Sequence, residues 1–139
     1  MNIKIGAIDC FDGNAVHGGL LPMFICLQEG GDCYPADDWV DNAEVVVGWW
    51  TQSVIDLIKG GEGQGICFME GGYDIDLKYK SEVFYLDSED GEISWIVSKE
   101  GVINALVGAY EKLIEIYKKI GVDNPVGFYK SIELLKSQL

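Results

Sequence analysis

Arginine is absent from this chain of 139 residues, and histidine occurs once, at position 17. Each shortage removes a class of chemistry. Without a guanidinium there is no planar fork to clamp a phosphate or carboxylate substrate through two parallel hydrogen bonds. One histidine cannot supply a two-histidine metal site, and any histidine-based triad would rest on His17 alone. In its glycine-rich surroundings His17 reads as a solvated or capping residue. Long apolar runs are missing as well, since none approaches the roughly 18 residues needed to cross a bilayer. The stretch MNIKIGAIDCFDG has one lysine, an early aspartate and no long apolar centre. It does not read as a signal peptide, and a cytoplasmic location is expected.

Positive charge is scarce: ten lysines face 23 acids, for a net charge of −13. Nucleic-acid phosphates and anionic lipid heads would be repelled, so neither nucleic acid nor membrane is an expected partner. A basic protein surface would be attracted. The imbalance is sharpest between Lys4 and Lys59, where no other lysine falls, and within it YPADDWVDNAE (34–44) is densest in acids. Cysteine is present four times, as Cys10, Cys26, Cys33 and Cys67. These gaps match no C-x-x-C zinc or redox pattern, and free thiols in a core are expected.

What is present is the composition of a globular protein. Hydrophobic residues make up 48% and charged residues 24%, which argues against disorder. A chain of this length is expected to form one domain over 1–139 and to bury about 70% of its extended surface. Residues 2–9 and 21–27 read as strands, joined by turn chemistry at Asp12-Gly13 and Gly18-Gly19. Asp41 followed by Glu44 has the spacing of a capping box, and Val40 and Val45 that of a hydrophobic staple. The helix they would start is expected over 42–59, with apolar residues at 43, 46, 47, 50, 54, 57 and 58 and Gly60-Gly61 as its stop. Trp49 and Trp50 then point about 100° apart, one toward the core and one toward its edge.

A meander of strands is expected next, over 65–70, 73–80, 82–87 and 92–98. YDIDLKYK alternates throughout, with Tyr73, Ile75, Leu77 and Tyr79 on one face and Asp74, Asp76, Lys78 and Lys80 on the other. Ser98 suits the N-cap of a helix over 99–120, and Asn124-Pro125 starts a shorter one reaching about 137. The expected fold class is therefore α+β, an antiparallel meander packed on one face by helices.

Apparent site motifs dissolve under inspection. GGEGQG (60–65) follows a helix, precedes a strand, lacks lysine and carries Glu62, all wrong for cradling phosphate. DSEDGE (87–92) has its glycine at the wrong offset for a calcium loop and no bidentate glutamate, so it reads as a hairpin tip. Asp74 and Asp76 share a strand face roughly 7 Å apart, a separation at which paired carboxylates can hydrolyse glycosides. Their lysine neighbours mark an ordinary wet face instead. No convergent catalytic set remains, no enzyme activity is expected, and no cofactor or metal is implied.

WWTQSVIDLIKG, a glycine-containing connector, CFMEGGYDIDL, a second hairpin and a long C-terminal helix together resemble the small bacterial immunity proteins that accompany polymorphic toxins, including contact-dependent growth-inhibition toxins. The likeness spans residues 43 to 120 and centres on Phe68, Glu70, Gly71 and Tyr73. Gly72 stands where proline is common in that group. The resemblance implies a non-catalytic inhibitor that masks a cognate toxin, often a basic nuclease domain. It transfers no contact residues. Composition makes Asp32, Asp37, Asp38, Trp39, Asp74 and Asp76 the partner-binding candidates, because capping accounts for Asp41 and Glu44 but not for these. Two other readings stay open: an acidic nucleic-acid mimic regulating another protein, and a small-ligand domain or enzyme with a pocket near Trp49 or Trp50.

Overall fold

The computed structural model describes residues 1–8, 21–121 and 126–139. His17, Cys10 and the expected helix start at Asn124-Pro125 lie outside the described residues. Strands β1 (Asn2–Gly6), β2 (Met23–Glu29), β3 (Asp32–Tyr34) and β4 (Val40–Asp41) precede helix α1 (Ala43–Ile58). Then come β5 (Ile66–Cys67), β6 (Asp74–Lys80), β7 (Val83–Ser88), β8 (Ser94–Ser98), α2 (Lys99–Lys119) and α3 (Val126–Lys136). The fold is α+β, as the alternation and the helical stripes require.

The strands form two antiparallel sheets rather than a single one. In the first, β2 is central, with β1 on one side and β3 and β4 sharing the other. The second is the meander β5-β6-β7-β8. On its inner face Ile75, Leu77, Phe84, Leu86 and Val97 are buried, whereas Asp76, Lys78, Lys80, Tyr85, Asp87 and Ile96 face outward. Helix α2 packs against β1 as well as β7 and β8, and α1 touches β2, β5 and β6. One hydrophobic core therefore joins both sheets to the helices. This explains why α2 buries Ile103, Val107, Ile114 and Ile116 as well as Val102, Leu106, Ala109, Tyr110, Leu113 and Tyr117. It has neighbours on more than one side.

Local chemistry sets the boundaries. Ser98 caps α2, its hydroxyl accepting the Gly101 N–H at 3.0 Å. The β6–β7 hairpin turns through Ser81 and Glu82, both at positive φ (54° and 66°), as a two-residue loop of primed type requires. Neither is the glycine or asparagine that favours such a turn. Helix α2 holds it instead: Lys99 Nζ meets the Glu82 carboxylate at 2.8 Å, and the Lys99 N–H donates to the Glu82 carbonyl at 2.9 Å. The lysine keeps the Glu82 carboxyl below its ordinary pKa. The expected strand at 65–70 shrinks to β5, which starts only after Gly65 because that residue sits at φ +80°, outside the extended region.

The capping box is overturned. The N-cap of α1 is Asn42, and it makes no side-chain cap hydrogen bond. Asp41 sits one residue earlier, in β4, and is buried. Glu44 does not reach back but accepts the Tyr117 hydroxyl at 2.8 Å, tying α1 to α2. Val40 pairs with Phe24 across the first sheet and is 39% exposed, so it forms no staple. Tertiary partners from distant sequence prevail over the local signal.

Candidate functional site

The two sheets meet at an aromatic joint. Tyr34 from β3, Trp39 from the following loop, Trp50 from α1, and Phe68 and Tyr73 flanking the β5–β6 turn converge there. Trp39 and Tyr73 have ring centroids 5.0 Å apart, Tyr34 and Tyr73 5.8 Å, and Trp50 and Phe68 5.2 Å, each in an edge-to-face arrangement. The Trp50 indole N–H donates to the Cys67 carbonyl at 2.7 Å, satisfying the polar atom of a fully buried side chain. Gly71 turns the chain at φ +70°, and a Cβ there would lie 2.9 Å from the Trp39 ring. Only glycine fits both conditions.

Asp41 fastens this joint. One carboxylate oxygen accepts the Asn42 N–H at 2.7 Å; the other accepts the Trp39 indole N–H and the Glu70 N–H, each at 3.1 Å. The residue is 2% exposed, so these donors replace the water that the charge has lost. Phe68, Glu70, Gly71 and Tyr73 thus act together in the scaffold, binding the second sheet to the first through Trp39 and Asp41.

Beside the joint opens a cleft of about 410 Å³, with Asp32, Tyr34, Pro35, Tyr73, Asp90 and Glu92 in its walls. The Tyr34 hydroxyl donates to Asp90 Oδ2 at 3.0 Å, across 56 residues of sequence, and the Glu92 N–H donates to Asp90 Oδ1 at 3.0 Å. The Glu92 N–H, with Ser88 and Tyr34 behind it, holds the Asp90 carboxyl below its ordinary pKa. Burial first, and then Asp90, push the Tyr34 phenol up to about 12. At neutral pH the cleft therefore presents a fixed anion and a phenol that keeps its proton. Such a pair can receive a cation.

The sequence candidates scatter. Asp32 lies in the cleft wall. Asp37 and Asp38 are exposed on a separate turn, beside Lys4 and Phe24 around a hollow of about 250 Å³. Trp39 is half-buried in the joint, so packing and its bond to Asp41 account for it. Asp76 stands on the outer face of β6, 3.8 Å from Lys78 and opposite Asp87. Asp74 is half-buried at the β5–β6 pairing. Asp90 and Glu92, which complete the cleft, read in the sequence only as part of a hairpin tip. Nothing in the sequence links them to Tyr34, and composition alone could have flagged their charge.

Of the adjacent tryptophans, Trp50 is buried and Trp49 is 46% exposed. Cys26, Cys33 and Cys67 are free thiols. Burial, reinforced by Cys33, pushes Cys26 up to about 11, and burial together with Asp74 does the same to Cys67. Such thiols stay protonated at neutral pH and are poor nucleophiles. Among the described residues no three His, Cys, Asp or Glu side chains are grouped to hold a metal ion, and no helix is long and apolar enough to cross a membrane. No family model, curated protein or solved structure matches the chain.

Proposed function

We propose that this chain is a non-catalytic immunity-type protein that binds and neutralises a basic toxin domain, of nuclease type, in the bacterial cytoplasm. The observation that carries the reading is the cleft between Asp32–Pro35 and Asp90–Glu92. Its Asp90 carboxylate is held by the Tyr34 hydroxyl and the Glu92 N–H, with Asp32, Glu92 and the half-buried Tyr73 in the same walls, an arrangement that receives a lysine or arginine side chain through charge. The net charge of −13 extends the same preference over the surface. A nuclease must attract phosphates, so its active face is basic. An acidic partner finds that face quickly and covers it, while like-charged partners are turned away. The likeness of residues 43 to 120 to toxin-associated immunity proteins supports the same assignment.

The test is protection. The chain should rescue growth of cells that express the basic toxin domain encoded beside its own gene, and should form an equimolar complex whose association slows as salt rises. Failure to rescue, or turnover of a nucleotide, glycoside or peptide abolished by one point substitution in this chain, would refute the reading.

A further inference from the structure

We infer that the open cavity beside Trp49 is a docking pocket for one large apolar side chain of that basic partner, an inference that rests on the immunity-type reading. Trp50 meets the needs of the core: it is fully buried and hydrogen-bonded. Trp49, about 100° further round the helix, leaves 46% of its surface in water. Helix formation and solubility would both be served better there by lysine or glutamate. The exposed ring instead walls a cavity of about 290 Å³, together with Gln52, Ser53, Asp56, Gln64 and Cys67. That volume falls just below the roughly 300–1,000 Å³ of small-molecule sites. Open to solvent, it fits a single inserted side chain better than an enclosed ligand.

The walls are made for an apolar guest with a cationic neighbour. The Cys67 thiol donates to the Gln64 carbonyl at 3.6 Å, and its raised pKa keeps it neutral. Asp56 supplies the one charge in the wall, with an oxygen accepting the Gln52 amide at 2.8 Å. An exposed tryptophan next to a concavity is the arrangement found at the energetic centres of protein interfaces. A second copy of this chain is the wrong occupant, because two bodies at −13 repel one another. A basic protein meets both requirements, with its apolar residue against Trp49 and a lysine or arginine beside Asp56.

Three synthetic tripeptides probe the pocket: acetyl-Lys-Phe-Lys-amide, acetyl-Lys-Ala-Lys-amide and acetyl-Glu-Phe-Glu-amide, each titrated into ¹⁵N-labelled protein by NMR. The first should shift the Trp49 indole and the Gln52 and Gln64 amides, and should bind about tenfold more tightly than either other peptide. Trp49→Ala should remove that advantage while leaving the spectrum of a folded protein. Equal binding by the phenylalanine and alanine peptides, or shifts confined to Asp32, Asp90 and Glu92, would refute the pocket. So would a dimer in sedimentation that buries Trp49, since it would make a second copy the occupant. A chain that protects cells yet shows no phenylalanine-dependent shift loses this inference and keeps the immunity-type reading. Absence of protection overturns that reading, and with it the toxin as occupant, whatever the peptides do.

Discussion

Replacing Asp41 separates two physical roles that predict different losses. An N-cap carboxylate is worth about 0.5–2 kcal/mol when replaced by alanine, and asparagine caps as well as aspartate. A buried carboxylate that accepts the Asn42 N–H, the Trp39 indole N–H and the Glu70 N–H is another matter. Asp41→Ala strands these donors at a position that is 2% exposed. With about 1–3 kcal/mol for each donor left dry, and some relief from water or local movement, the expected loss is about 3–5 kcal/mol. Asp41→Asn is the sharper perturbation. Its amide nitrogen must face at least one of the N–H groups, so it should cost about 1.5–3 kcal/mol, whereas the capping role predicts nearly none. Urea unfolding followed by tryptophan fluorescence measures both losses, with the slope checked for an unchanged unfolded state. An Asp41→Asn protein within about 0.5 kcal/mol of the parent would show that the carboxylate does not fasten the joint.

Gly71→Ala should lose about 1–3 kcal/mol in the same assay, because the new methyl meets the Trp39 ring at 2.9 Å and the backbone stays at φ +70°. Trp50→Phe should cost about 2–4 kcal/mol by leaving a void and an unpaired Cys67 carbonyl, while Trp49→Ala should stay within about 0.5 kcal/mol in thermal or urea melts. The Tyr34 phenol has its pKa raised to about 12 from an ordinary 10.0, so its contribution to stability is whole below pH 10 and is lost as pH rises from 10 through 12. Ultraviolet titration should show Tyr34 ionising after exposed tyrosines, and Tyr34→Phe should remove part of the alkaline loss. Asp37→Asn with Asp38→Asn, both exposed, should leave melting unchanged, slow association with the toxin domain and flatten its salt dependence in stopped-flow measurements. Unaltered association would leave that turn as a solvated face.

The parts of the fold legible in the sequence are those decided by near neighbours. Alternation along Asp74–Lys80 sets the inner and outer faces of β6 whatever lies beyond them, and the Ser98 cap needs only the N–H of Gly101 three residues on. The division into two sheets was not legible. It depends on β2 splitting its partner edge between β3 and β4, and on the loop between them, whose Trp39 carbonyl accepts the Ile25 N–H at 3.0 Å. Asp41 failed for the same reason. The spacing to Glu44 fits a capping box in isolation, but Glu70 and Tyr117 offer these carboxylates better partners from 29 and 73 residues away.

The candidate site divides along the same line. Phe68, Glu70, Gly71 and Tyr73, the residues on which the expected resemblance to immunity proteins rested, are held by internal packing around Trp39 and Asp41. A likeness there tracks the scaffold, because changing any of them disturbs the joint. The groups that would meet a partner are under no such internal restraint. Asp32, Asp37, Asp38, Glu92 and the ring of Trp49 could be exchanged with little effect on the core, so sequence pattern conveys their charge or size and nothing of their arrangement. Asp90 is the exception: it belongs to the fold through Tyr34 and to the cleft through its charge. Tyr34→Phe therefore tests the proposed interface more cleanly than removal of Asp90 does. It keeps the ring in the aromatic joint and the carboxylate in the cleft, and deletes only the bond between them. If the cleft works by holding its anion in place for a cation, Tyr34→Phe should speed dissociation of the toxin domain while the encounter rate, set by long-range charge, stays as it was. Equal effects on both rates would mean that the geometry of the cleft plays no part.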